Sequence, residues 1–151
     1  MYNFVSKSEK ETTEFAKDLA SKLKAGDTIV LTGELGSGKT KFTEGFLEYF
    51  GLQDEISSPT FTIVNEYNAQ NVNIYHFDVY RLSDTDEFYA IGGEEYFEKG
   101  ICLIEWGEII EDALPKEYIH ITIDKDPNND NYRLLHVQTF GQKYENLFST
   151  N

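Results

Sequence analysis

The sequence predicts an α/β fold, a three-layer sandwich with helices on both faces of a mixed, partly antiparallel central sheet. Three observations carry that expectation. The apolar run TIVLT (28–32) enters a glycine-rich turn and leaves it into an amphipathic segment, the strand–loop–helix order of a parallel unit. A second short apolar run, ICLIE (101–105), suits a parallel strand buried on both faces. Two pairs of β-rich segments, each joined by a polar turn, read as antiparallel hairpins.

The elements follow in order. Ser8 and Glu11 have capping-box spacing, so a first helix starts at Ser8. Phe15, Leu19 and Leu23 recur four apart on one face of it, and Gly26 closes it. TIVLT is the first strand, followed by a helix from about Gly38 with Phe42, Phe46, Leu47 and Phe50 turned inward and Gly51 as its stop. FTIVNEY (61–67) and VNIYHFDVY (72–80) form a hairpin around NAQN, and residues 84–90 are a short helix. After ICLIE, YIHITI and YRLLHVQTF flank DKDPNND, a second hairpin.

A chain of 151 residues without repeats or a linker is expected to be one domain, 1–151. Hydrophobic residues at 40% and aromatics at 15% speak against disorder. The formal charge of −14 argues against an independent nucleic-acid surface, which needs clustered cations. The acidity is read as a soluble surface, or more sharply as a docking face for a basic partner. No apolar run approaches the length of a membrane helix, and MYNFVSKSEKET lacks a signal-peptide core, so a cytoplasmic location is expected. The single cysteine, Cys102, sits inside ICLIE and reads as a small buried hydrophobe.

Gly33-Glu34-Leu35-Gly36-Ser37-Gly38-Lys39-Thr40 matches the full phosphate-loop pattern between a strand and a helix. Its glycines permit a tight turn in which backbone N–H groups face phosphate oxygens. Lys39 brings a point charge to the β- and γ-phosphates, and Thr40 offers its hydroxyl to Mg²⁺. The helix that follows, through Lys41, aims its positive end at the anion. The sequence therefore predicts a P-loop NTPase-type sandwich.

The guanine-reading Asn-Lys-x-Asp and switch Asp-x-x-Gly patterns are absent, which disfavours GTP. Small-molecule kinases gather arginines around the transferred phosphoryl group. This chain has two, Arg81 and Arg133; Arg133 falls in the C-terminal hairpin and only Arg81 lies near the candidate catalytic residues. An ATPase assisted by a partner fits better than a kinase, the second reading. A nucleotide-gated binding module is a third.

Two acids complete the candidate site. Glu105 ends the ICLI strand at the carboxyl edge of the sheet, where open α/β folds bind ligands. In HFDVYRL, alternation puts His76 and Asp78 on one face and Tyr75, Phe77 and Val79 on the other. Either acid could instead be an ordinary surface group. Trp106 is read as core by default, or else as a wall of the nucleotide pocket. Ser57-Ser58-Pro59-Thr60 is either a turn or a switch that senses the γ-phosphate.

Taken together, GELGSGKT, SPTFTIVNEY, YHFDVYRL, the EEYF segment and ICLIEW closely resemble the TsaE family, also called YjeE, over roughly residues 8–110. The resemblance implies an accessory ATPase of tRNA threonylcarbamoyladenosine formation. It would bind ATP and Mg²⁺, dock on the TsaD–TsaB complex and touch tRNA only indirectly. It implies phosphate contacts at Gly33, Gly36, Gly38, Lys39 and Thr40, metal binding at Thr40 and Glu105, and roles for Asp78 and Thr60 in presenting water. The roles of Asp78 and Glu105 are exchangeable at this level.

Overall fold

The computed structural model describes residues 2–34, 37–52, 54, 63–82 and 84–148. Seven strands are β1 (Tyr2–Ser6), β2 (Thr28–Gly33), β3 (Val64–Asn68), β4 (Asn73–Asp78), β5 (Ile101–Glu105), β6 (Tyr118–Asp126) and β7 (Asn129–Phe140). The α-helices are α1 (Glu9–Ala20), α2 (Lys39–Tyr49) and α3 (Thr85–Ala90), joined by 3-10 turns at Val79–Arg81, Gly93–Glu98, Gly107–Ala113 and Gln142–Tyr144.

One mixed sheet runs β1-β7-β6-β2-β5-β4-β3. The four middle strands, β6, β2, β5 and β4, are parallel, and antiparallel pairs close both sides. Alternation along the middle strands separates two cores. Ile29, Leu31, Ile74, Ile101 and Leu103 pack beneath α1 and α2 with Leu19, Phe42, Phe46 and Leu47. Tyr75, Phe77, Cys102 and Ile104 pack beneath α3 and the neighbouring 3-10 turns with Phe88, Phe97 and Ile110. This is the expected three-layer α/β sandwich.

The local signals explain most boundaries. Ser8 caps α1 by accepting from the Glu11 N–H at 3.1 Å, while Glu11 accepts from the Lys7 N–H at 3.0 Å. The helix ends at Ala20, earlier than the Gly26 stop that the sequence suggests. Gly26 instead occupies φ +99° in the turn into β2, where its N–H donates to the Gly100 carbonyl at 2.9 Å. Gly51 does end α2, in the left-handed region at φ +76°. β4 stops at Asp78, two residues before the expected end, because the Asp78 carboxylate accepts from the Tyr80 N–H at 3.1 Å and folds the chain into a 3-10 turn.

Strand β1 is not foreseen from the sequence. YNFVS has no clear alternation, and its strand state comes from a non-local ladder to β7, Tyr2 against Val137 and Ser6 against Arg133. The C-terminal hairpin runs further than expected. Asp126 faces Asn129, so most of DKDPNND is strand and the turn is Pro127-Asn128 alone. Cys102 is fully buried as read, with its thiol pushed up to about 12 by burial. Among the described residues no helix is long and apolar enough to cross a membrane.

Candidate functional site

Register places the acids. On the face of the sheet covered by α1 and α2, Leu31 of β2 pairs with Glu105 of β5, and Asp78 of β4 pairs with the same Glu105. Both carboxylates therefore end adjacent parallel strands beside the loop that leaves β2. The opposite flank of that loop is formed by β6, whose Ile123 pairs with Gly33. A cleft of about 920 Å³ opens here, at the N-terminus of α2. Gly38, Lys39, Thr40, Lys41, Asp78 and Glu105 all line it.

The loop has no space to spare. A Cβ on Gly33 would stand 2.5 Å from Ser37 Oγ and 2.7 Å from the Ile123 carbonyl oxygen. Gly38 caps α2 at φ +113°, a backbone state that disfavours any side chain. Ser37 is buried, and its hydroxyl has no hydrogen-bond partner among the described residues. Glu34 of the loop is exposed, while Leu35 and Gly36 lie outside the described residues, as do Thr60 and the Ser57–Pro59 segment before it.

At the centre, Lys39 Nζ lies 3.6 Å from Glu105 Oε1, and His76 Nε2 lies 2.7 Å from Glu105 Oε2. Glu105 is thus held at both oxygens. Burial pushes its carboxyl up, but the hydrogen bond and charge of His76, with the charge of Lys39, outweigh burial and leave it below the ordinary glutamate range. It is a carboxylate at neutral pH. Sequence alternation groups His76 with Asp78, and the two do share a face. The partner of His76, however, is the strand-end acid across the ladder. His76 is only 5% exposed, and its Nδ1 has no partner among the described residues. This is not a solvated strand face.

The readings of Trp106 and Arg133 need correction. Trp106 is not core: it is 38% exposed and lines the cleft. Lys39 Nζ sits 5.3 Å from its ring centre, and Tyr80 packs on it at 4.9 Å. Its backbone adopts φ +65°, the one positive φ outside glycine among the described residues, which turns the chain sharply away from Glu105. Arg133 does lie in the C-terminal hairpin, but that hairpin folds beside the loop. Arg133 lines the cleft, and its Nε would lie 3.9 Å from a Cβ on Gly38. No short-range pattern shows this, because the approach depends on β6 pairing with β2 and on the length of the hairpin.

Which groups the site fits follows from its donors. The loop amides and Lys39 suit a polyphosphate. Among the described residues no cluster of three or more His, Cys, Asp or Glu stands ready for a metal ion. A divalent ion here would draw on Thr40, an acid and the phosphates themselves, the pattern that Mg²⁺ prefers because it keeps water and phosphate ligands.

The sequence model of the family described as "Threonylcarbamoyl adenosine biosynthesis protein TsaE" matches residues 6–135. The chain is 44% identical over 138 residues to the tRNA threonylcarbamoyladenosine biosynthesis protein TsaE of Bacillus subtilis, covering 91% of this chain and 85% of that one. It is 41% identical over 122 residues to the Haemophilus influenzae protein of the same name, covering 80% and 77%. The crystal structure of Bacillus subtilis YdiB superposes with a TM-score of 0.76 at 37% identity, over 97% of this chain and 90% of that one.

Proposed function

This chain belongs to the TsaE family of threonylcarbamoyl adenosine biosynthesis proteins, and from that premise we propose that it is a Mg²⁺-dependent ATPase serving tRNA threonylcarbamoyladenosine formation. One observation carries the reading. Lys39 of the phosphate loop, Thr40, and the paired strand-end acids Asp78 and Glu105 line a single cleft at a helix N-terminus.

Each described residue has a task that its position supports, and Thr60, outside the described residues, takes its role from the family resemblance. Loop amides and Lys39 hold the phosphates and neutralise charge as the γ-phosphoryl group leaves. Thr40 and Glu105 hold Mg²⁺, which supplies electrostatic stabilisation of the phosphates when bound. Asp78 accepts a proton from water or orients it for in-line attack, with Thr60 as its helper. His76 fixes the Glu105 carboxylate from beneath, as an outer partner fixes a metal ligand. Trp106 stacks against the Lys39 ammonium and shields that flank from solvent.

The hydrolysis is proposed to serve other proteins in the cytoplasm: TsaD and TsaB, with tRNA engaged only through their complex. Single-turnover hydrolysis of ATP by Asp78→Asn tests the assignment. Asn keeps an oxygen to cap Tyr80, so the fold is preserved while the base is lost. A fall of about a hundredfold or more is expected, in the range of a positioned general base. Unchanged hydrolysis would move the water-orienting role away from Asp78.

A further inference from the structure

The flank of the cleft opposite Glu105 carries an arginine that the family's loop and acid motifs do not include. Arg133 lies on β7, where it pairs across the ladder with Lys125 of β6 and with Ser6 of β1. Its side chain crosses towards the phosphate loop. Arg133 Cγ would stand 3.8 Å and Nε 3.9 Å from a Cβ on Gly38. The guanidinium is anchored at Nη1, which donates to the Asp130 carbonyl at 2.7 Å and the Tyr132 carbonyl at 2.8 Å. An arginine tied down in this way loses little side-chain freedom when an anion arrives.

We propose that Arg133 binds the phosphates nearest the nucleoside, holding the α- and β-groups of ATP and ADP alike against the Gly38 side of the loop. This rests on the nucleotide reading above and adds a residue and a direction to it. The direction comes from the strand order. β5, bearing Glu105, and β6, leading to Arg133, flank β2 on opposite sides. The γ-phosphate and metal belong where Thr40, Glu105 and Asp78 converge. The phosphate chain must then run across the helix N-terminus towards β6, away from those acids. The Gly38 flank therefore meets the phosphates that ADP retains. Lys7 and Ser8, at the β1–α1 junction, line the cleft on that same side with Asn131 of the hairpin. The chain thus carries an arginine at its nucleotide site in cis, although it is placed for ground-state binding rather than for the transferred group.

The test measures binding of fluorescent ATP and ADP to the full chain and to Arg133→Gln and Arg133→Lys. A charge-assisted contact predicts that Arg133→Gln weakens ATP and ADP each by roughly ten- to a hundredfold, by the same factor for both. Arg133→Lys, which keeps the charge but not the fork, falls between. Melting temperatures without nucleotide report folding, and the ADP-induced rise in melting temperature shrinks in both variants in step with affinity. ADP affinity within twofold of wild type in folded Arg133→Gln overturns the proposal. So does a loss confined to ATP, which would place Arg133 at the γ-phosphate. Wild-type protein that binds neither nucleotide would remove the nucleotide reading itself, whereas wild-type binding with unchanged variants removes this inference alone.

Discussion

Replacing Glu105 by Gln should tighten nucleotide binding in the absence of divalent metal and abolish the benefit of adding it. Gln has nearly the shape of Glu and keeps an oxygen or an amide within reach of His76 Nε2, which stands 2.7 Å from the carboxylate. Only the charge is lost. That charge is fully present in the resting protein, because His76 and Lys39 hold the carboxyl below its ordinary range despite burial. It occupies Lys39 at 3.6 Å, with side chains only 14% and 16% exposed, so solvent screens the pair weakly. A polyphosphate must draw Lys39 away from this partner and also tolerate the carboxylate beside it.

At 3.6 Å the pair is an ion contact beyond hydrogen-bond reach; weakly screened, it contributes about 1–3 kcal/mol, between an exposed surface pair and the full Coulomb attraction. Part of that is returned when the phosphates take over Lys39, which leaves about 1–2 kcal/mol opposing nucleotide binding without metal. Removing the charge should then tighten ADP binding in chelator about five- to thirtyfold. In Mg²⁺ the order reverses: wild type gains affinity through the carboxylate, and the Gln variant gains little. Calorimetric titration of ADP into both proteins, with chelator and with Mg²⁺, reads all four affinities. Weaker ADP binding by the variant in chelator would refute the competition between Glu105 and phosphate. Equal tightening of both proteins by Mg²⁺ would refute the metal assignment.

Two further outcomes are expected away from the acids. At Gly45 an added Cβ would meet the backbone of Thr13, its carbonyl oxygen first and then Cα at 2.7 Å, so α1 and α2 must part; Gly45→Ala should lower stability by about 1–3 kcal/mol in denaturant titration. An unchanged midpoint would mean that the helices can separate without loss. The proposed docking on the TsaD–TsaB complex should weaken as salt rises from low to physiological strength, because the chain carries a net charge of −14; a salt-independent affinity would reject electrostatic docking.

What the sequence makes legible follows from how local each signal is. The capping box at Ser8, the glycine loop and the alternation in HFDVY are short-range patterns, and each specifies the element or face found. Glu105 is readable as a strand end because ICLIE is buried on both faces and can only be central. The engagement of Glu105 by His76 is not readable, because it depends on β4 and β5 lying side by side in a register that puts Asp78 level with Glu105. Arg133 reaches the site only because a two-residue turn extends the hairpin and β6 pairs with β2. Trp106 misleads for a different reason. A tryptophan after an apolar strand is core by default, whereas here a left-handed backbone turn swings it out over Lys39.

The charge distribution joins these parts. In a chain of 13 cations and 27 acids, Lys7, Lys10, Lys39, Lys41 and Arg133 all line the cleft, against Glu9, Asp78, Glu105 and Asp130. The cleft is therefore roughly balanced inside a strongly negative molecule. Within about a Debye length of the surface the net field repels an anionic nucleotide, so the proposed capture depends on contacts made within the cleft rather than on steering. The same field attracts a basic protein surface. A cationic partner laid near the cleft would lower the local negative potential and ease the proposed nucleotide capture. On this argument nucleotide and partner favour one another through charge alone, with no conformational change required of this chain.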